Sequence, residues 1–197
     1  MKIVAVVLAA GESSRMGTNK LLLKLGDKNI LENLLEKLVE YQTIAVTGHR
    51  PEEIRPIIQQ FDCKEVYNRD FEKGMTTSFK AGLLRVEEDI DAVLMVLSDT
   101  FGFKKELINK MIMIMEEDES VLLVSPVYRG KHGHPVLIRR ELFKEFLNLS
   151  IHETMKDVIQ RHDNNRRYIE GSIWCTIDMD TPQDYKKVKE LWKSNHA

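Results

Sequence analysis

The run from Leu8 to Lys20, Leu-Ala-Ala-Gly-Glu-Ser-Ser-Arg-Met-Gly-Thr-Asn-Lys, sets small residues and two cations directly behind an apolar stretch. Ala9, Ala10 and Gly11 allow backbone N–H groups to approach a phosphate chain closely, because little side chain stands in the way, and Leu8 opens the same candidate nucleotide-binding loop. Arg15 adds a planar, permanently charged fork and Lys20 a mobile point charge. Together they suit a triphosphate. The loop is not a Walker A loop, since two residues separate Gly17 from Lys20. Nor is it a G-x-G-x-x-G turn, since Ser13 stands where the second glycine would be.

Carboxylates complement these cations. Asp99 ends the apolar run Asp91–Leu97 after Ser98, where an acid points into the crevice beyond a strand end. It is the first candidate ligand for Mg²⁺, which takes oxygen donors and keeps several waters, so one or two carboxylates suffice. Its alternative is an N-cap for a helix beginning near Lys104. Asp178 and Asp180 are expected to face one side of a strand end and to offer the second carboxylate; the sequence does not choose between them. Asp184, in the first turn after Pro182, suits a helix cap or a macrodipole role. His132 and His134 lack further ligands at zinc spacing, and His49, His152, His162 and His196 have no constellation around them.

The elements that must hold these groups alternate along the chain. Ile3–Leu8 is a continuous β-branched run, expected of a strand buried on both faces. A helical period follows through Leu31, Leu34, Leu35 and Leu38. Strands are expected at Thr43–Thr47, Lys64–Tyr67, Asp91–Leu97, Val121–Ser125, Pro135–Ile138, near Tyr168 and at Ile173–Ile177. Helices are expected at Pro51–Gln60, Met75–Val86, Lys104–Glu116, Arg140–Leu147, Glu153–Arg161 and after Pro182. This alternation implies an α/β fold of three layers, a mostly parallel, Rossmann-like sheet with helices on both faces. The 197 residues fit one domain, with an insertion around 126–135, a Gly- and His-containing stretch that breaks the alternation.

Composition narrows the classes. With 29 basic and 31 acidic residues the chain has no basic excess for a nucleic-acid surface. The Ile3–Ala10 run is too short to span a bilayer and lacks the flanks of a signal peptide. Cys63 and Cys175 are too few and too far apart for a disulfide framework or zinc site. They are expected to be buried reduced thiols, which suits a cytoplasmic protein.

The first loop resembles the L-A-(A/G)-G-x-S-x-R-M-G-x-x-K signature of the molybdenum cofactor nucleotidyltransferases. Four further segments follow in that family's order. Asn68–Leu83 resembles its Asn, then Gly-Met-x-x-Ser, segment, and Leu97-Ser98-Asp99 its metal-binding strand end. Pro126–Gly130 running into Gly133-His134-Pro135 resembles its acceptor-side insertion, and Asp178–Asp184 its D-x-D-T-P-E-D element. The resemblance implies transfer of a nucleoside monophosphate from an NTP to a small phosphorylated acceptor, molybdopterin in the family, with Mg²⁺ and with a molybdoenzyme or cofactor-insertion partner. It implies that Gly74, Met75 and Ser78 hold the nucleotide's base or ribose. It places Tyr128, Gly133, His134 and Pro135 at the acceptor, and Asp99 with Asp178 or Asp180 at the metal. Ala10, where the guanylyl branch has Gly, implies CTP over GTP.

Two departures stand beside it. Asp99-Thr100-Phe101-Gly102 has no proline where the family has D-x-P, which predicts a flexible turn. Leu149–Asp157 replaces a Gly-Asp-x-Gly-x-Arg element. Competing readings are a sugar- or polyol-phosphate nucleotidyltransferase and a non-catalytic nucleotide-binding escort for a cofactor; a mere binder has no need of Arg15, Lys20 and a two-carboxylate site.

Overall fold

The structure, a computed structural model, describes residues 1–195; His196 lies outside the described residues. The apolar run forms β1 (Ile3–Ala9), and both its faces are buried. A small hairpin follows, β2 (Lys24–Leu25) with β3 (Lys28–Asn29), then α1 (Ile30–Leu35). Asn29 caps α1: its side chain accepts from Glu32 N–H while Glu32 accepts from Asn29 N–H. Then come β4 (Gln42–Thr47), α2 (Pro51–Ile58), β5 (Cys63–Tyr67), α3 (Met75–Leu83), β6 (Ala92–Leu97) and α4 (Lys105–Glu117). The chain continues with β7 (Leu123–Tyr128), β8 (Lys131–His132), β9 (Val136–Arg139), α5 (Phe143–Leu147), α6 (Met155–Arg161), β10 (Arg166–Glu170) and α7 (Pro182–Asn195).

The main sheet runs β10-β7-β9-β6-β1-β4-β5, with β8 hairpinned onto β7. β1 pairs in parallel with both β4 and β6, β4 with β5, and β7 with β10; β9 runs against its neighbours β6 and β7, and β8 against β7. Successive side chains of β1 enter opposite layers. Ile3, Ala5 and Val7 pack with Leu31 and Leu34 of α1, Ile54 of α2, Ile108 of α4 and Val188 of α7. Val4, Val6 and Leu8 pack with Phe79 and Leu83 of α3, Phe146 of α5 and Val158 of α6. Helices thus cover both faces, the three-layer α/β arrangement expected from the alternation. α3 lies close enough to the sheet that a Cβ on Gly82 would stand 2.5 Å from Val6 and 2.9 Å from Val46.

Several expectations are corrected. Ile173–Ile177 is not a strand; Ile173–Cys175 is a 3-10 turn. Trp174 and Cys175 are both buried, and the Trp174 ring packs with Phe101 and Trp192. The Arg140–Leu147 helix splits into a 3-10 turn over Arg140–Leu142 and α5, and α3 stops at Leu83. The 126–135 stretch is the β7–β8 hairpin, turning through Arg129 and Gly130, both at positive φ. Cys175 is buried as expected, but Cys63, on an edge strand, is only half-buried; both thiols are free. No described helix is long and apolar enough to cross a membrane.

Candidate active site

β1 and β6 run parallel side by side, so the loop after Ala9 and the turn after Leu97 leave the sheet at the same end. A cavity of about 370 Å³ opens there, lined by Leu8, Ala10, Gly11, Lys20, Phe71, Gly74, Met75, Ser78, Leu97, Ser98, Asp99, Asp178 and Asp180. Four stretches far apart in sequence therefore converge on one crevice at the carboxyl ends of the strands.

Its charges are joined through Lys20. The Lys20 ammonium donates to Asp99 Oδ2 at 2.7 Å and to Asp180 Oδ1 at 2.9 Å. Arg15 Nη2 donates to Asp180 Oδ2 at 2.5 Å. Side-chain exposure is 15% for Lys20, 17% for Asp99 and 32% for Asp180, whereas Arg15 lies on the rim at 70%. Burial works against the charge of Lys20, but Asp99 and Asp180 outweigh it, and its pKa stands above the ordinary lysine value. The hydrogen bond from Lys20, against the opposing effect of burial, holds Asp180 below the usual carboxylate value. Asp178 is exposed and lines the cavity.

The local structure explains this placement. Asn19 accepts from Leu21 N–H and starts the 3-10 turn carrying Lys20, whose N–H also donates to Ser13 Oγ. Asp99 does not cap α4: Lys104 holds the N-cap position and no side chain bonds there. The turn after Asp99 is anchored by packing in place of the absent proline. Phe101 and Phe103 are fully buried, and a Cβ on Gly102 would fall 2.3 Å from the Trp174 ring. The flexible turn expected there is thus corrected. Asp178 and Asp180 lie on no strand, yet both reach the cavity because fully buried Met179 pins the segment between them. Asp184 caps α7, accepting from Thr181 N–H and Oγ1.

Two glycines leave room. A Cβ at Gly11, or at Gly74 with its φ of 103°, would meet nothing within 4 Å, so a ligand can approach the backbone at both. Ser78 is buried at the start of α3, and its Oγ accepts from Asn68 Nδ2 at 3.0 Å; Asn68 also donates to Thr77 Oγ1 at 2.9 Å. Ala10 directs its methyl toward Gly48, where a Cβ would stand 2.8 Å away, and its carbonyl accepts from His49 N–H.

Other named residues fall outside the cavity wall. Ala9 points into the core. Tyr128 ends β7, with the Arg129 guanidinium 5.3 Å from its ring centre. Gly133 N–H donates to Pro126 O and His134 N–H to Cys175 O, and a Cβ on Gly133 would stand 2.3 Å from that same carbonyl. Pro135 and Gly133 are buried. The turn they form leads into β9 beside β6, which brings His134 within the field of Asp99. Burial, reinforced by Arg166 and opposed by Asp99, pushes the His134 pKa down to about 4, and its Nδ1 is buried with no partner in the structure. His132 instead stacks on Tyr168, with centroids 4.9 Å apart, so the two histidines share no ligand geometry. His162 bonds Glu145, and His49 packs edge-on to Phe71. Phe71 is the wall residue that sequence reasoning left unassigned. Its signal was one aromatic side chain in the otherwise polar run Asn68–Lys73.

Comparison with known proteins places the chain in a family. The sequence pattern described as "MobA-like NTP transferase domain" matches residues 5–166. The molybdenum cofactor cytidylyltransferase of Escherichia coli (strain K12) is 26% identical over 96% of this chain and 97% of its own. A probable molybdenum cofactor guanylyltransferase of Natranaerobius thermophilus is 27% identical over 95% of each. A solved nucleotidyl transferase from Methanothermobacter superposes with a TM-score of 0.81 at 22% identity, covering 98% of this chain and 99% of that one. The matched pattern spans most of the chain and every strand from β1 to β9, and so the chain belongs to the MobA-like NTP transferase domain family, a family of nucleotidyltransferases.

Proposed function

We propose that the protein transfers CMP from CTP to the phosphate of a small acceptor of the molybdopterin type, with Mg²⁺ as cofactor and pyrophosphate as leaving group. The observation that carries this reading is the Lys20 ammonium set between Asp99 and Asp180 in a cavity that Gly11 and Gly74 also line.

The reaction is an in-line displacement. An acceptor phosphate oxygen forms the new bond to the α-phosphorus while the bond to the bridging oxygen breaks, and that electron pair leaves with pyrophosphate. A phosphate monoester, with a second pKa of about 6, is already anionic near neutral pH, so no general base is required. The protein's task is positioning and charge neutralisation. Gly11 and Gly74 give the nucleotide close access to backbone. Ser78, oriented by Asn68, faces the sugar or base. Lys20 and Arg15 exchange their carboxylate partners for the triphosphate and meet the charge that builds on the departing pyrophosphate.

The donor set suits a hard divalent cation. Asp99 and Asp180 already converge on a single cationic group, and both offer oxygen. Among the described residues no cluster of three or more His, Cys, Asp or Glu forms a full protein cage, as befits an ion that retains waters. Asp99 and Asp180 would hold the metal, with Asp178 at the cavity wall. The ion would supply further neutralisation of the phosphate oxygens.

Relatives of the cytidylyl and guanylyl kinds resemble the chain about equally, so the preference for CTP rests on Ala10. Ala10 lines the cavity, and a methyl there is expected to leave less room for a purine's second ring than glycine would. The test is pyrophosphate release measured with each of the four NTPs against molybdopterin and against sugar and polyol phosphates. Turnover with CTP and molybdopterin is expected. Turnover with only a sugar or polyol phosphate would overturn the acceptor assignment.

A further inference from the structure

β5 closes one side of the sheet and, among the described residues, pairs with β4 alone. Asn68 N–H extends that ladder by donating to Thr47 O. By the twofold alternation of a strand, Glu65 and Tyr67 therefore turn their N–H and C=O groups to the open side. A second cavity of about 500 Å³ runs along this edge, lined by Lys64, Glu65, Val66, Tyr67, Arg69 and Arg85.

Its cations come from three places: Lys64 from β5, Arg69 from the loop behind it and Arg85 from the turn after α3. Among the described residues none of these side chains has a hydrogen-bond or ion-pair partner. The acid in the same wall does not offset them, because Glu65 is held by Arg55 at 2.7 and 3.0 Å and by Thr47 at 2.9 Å. Apolar surface lies in the same wall, where Tyr67 is 51% exposed. The opposite edge is different. On β10, Arg167 pairs with Asp118 at 3.3 Å, and Arg166 donates to Ser125 Oγ while its guanidinium covers Tyr168. Basic residues alone would blunt either edge, but only on β5 are they left without internal partners around a concavity.

We propose that the β5 edge is a docking strand for an extended acidic segment of another protein, alternating carboxylates with apolar residues. Backbone pairing with Glu65 and Tyr67 supplies affinity. Lys64, Arg69 and Arg85 take the carboxylates, and Tyr67, whose side chain leaves the strand on the face opposite Lys64, takes the apolar side chains. A second copy of this chain is disfavoured as the occupant. Pairing β5 with β5 would set these cations against their own counterparts, and like charges across an interface suppress association.

The experiment uses the full chain and two labelled nine-residue probes, one alternating Glu with Val and one alternating Lys with Val. Fluorescence anisotropy gives affinity, and amide NMR gives location. The Glu probe is expected to bind, to weaken with added salt, and to shift the amides of residues 63–69. Arg69→Glu with Arg85→Glu is expected to weaken it about tenfold, two exposed pairs at roughly 0.7 kcal/mol each, and to gain binding of the Lys probe. Tyr67→Pro, compared with Tyr67→Ala so that loss of the ring is common to both, removes in addition only an outward N–H, which an edge strand tolerates. Loss of the Glu probe in the proline variant alone, with an unchanged circular dichroism spectrum, separates strand addition from simple charge attraction. Equal binding of both probes to the wild-type chain, shifts confined to another face, no binding at about 1 mM Glu probe, or self-association through this edge would overturn the proposal.

Discussion

Replacing Lys20 by Met keeps the aliphatic stem and removes the charge that joins Asp99 to Asp180. Two charge-assisted hydrogen bonds are lost, each contributing roughly 1.5–3 kcal/mol. Three features reduce the net effect. Desolvation of a largely buried ammonium is relieved, Asp180 keeps Arg15, and Asp180 is about one-third exposed, so solvent screens the freed charge. A destabilisation of about 1–2 kcal/mol follows, which for a chain of this size lowers Tm by roughly 2–8 °C and leaves it folded at 25 °C. The effect on turnover is larger. Lys20 meets charge that develops as pyrophosphate departs, and loss of one such contact typically costs on the order of 10²–10³ in rate. Steady-state pyrophosphate release at 25 °C, paired with thermal unfolding followed by circular dichroism, separates the two effects. A kcat/KM within about twofold of wild type would show that Lys20 is a structural tie rather than a triphosphate ligand; a loss that disappears once the folded fraction is corrected for would do the same.

Other substitutions probe the rest of the site. Asp180→Asn is expected to reduce Mg²⁺-dependent turnover far more than Asp178→Asn, because Asp180 shares Lys20 with Asp99; a Mg²⁺ titration of both variants decides, and equal losses would count against Asp180 as the second ligand. Ala10→Gly is expected to lower the CTP/GTP ratio of kcat/KM by roughly 10–200-fold at most, since one methyl discriminates by about 1–3 kcal/mol; an unchanged ratio would remove Ala10 from base selection. Gly48→Ala puts a Cβ 2.6 Å from Phe71 and 2.8 Å from Ala10, so it is expected to cost about 1–3 kcal/mol and raise the nucleotide KM, read from a denaturant melt and a saturation curve. His134 is depressed to about 4 from 6.5. The native state therefore binds fewer protons than the unfolded one in that interval, and the resulting stability, present above pH 6.5, is lost as pH falls toward 4. The loss is at most about 3 kcal/mol. Denaturant melts at pH 7 and pH 4.5 are expected to show a flatter dependence for His134→Phe, and identical slopes would refute it.

The sequence by itself determined the layers and the polarity of the sheet. Ile3–Leu8 and Ala92–Leu97 are apolar without alternation, which only a strand covered on both faces requires, and the helices between strands impose parallel crossovers. It also marked Lys20, Asp99, Asp178 and Asp180, because charged residues directly after such strands, or alternating near a terminus, lie where open sheets bind ligands. What local pattern cannot carry is contact between residues 160 or more positions apart. That Asp180 reaches both Arg15 and Lys20 is a product of the tertiary structure. So is the conversion of Ile173–Cys175 from expected strand to turn, since Trp174 finds its partners in Phe101 and Trp192. The firmness of the turn after Asp99 is decided there too. No local signal in Thr100–Phe103 shows that a tryptophan some 70 residues onward closes against Gly102, and burial of aromatic surface is what replaces the missing proline.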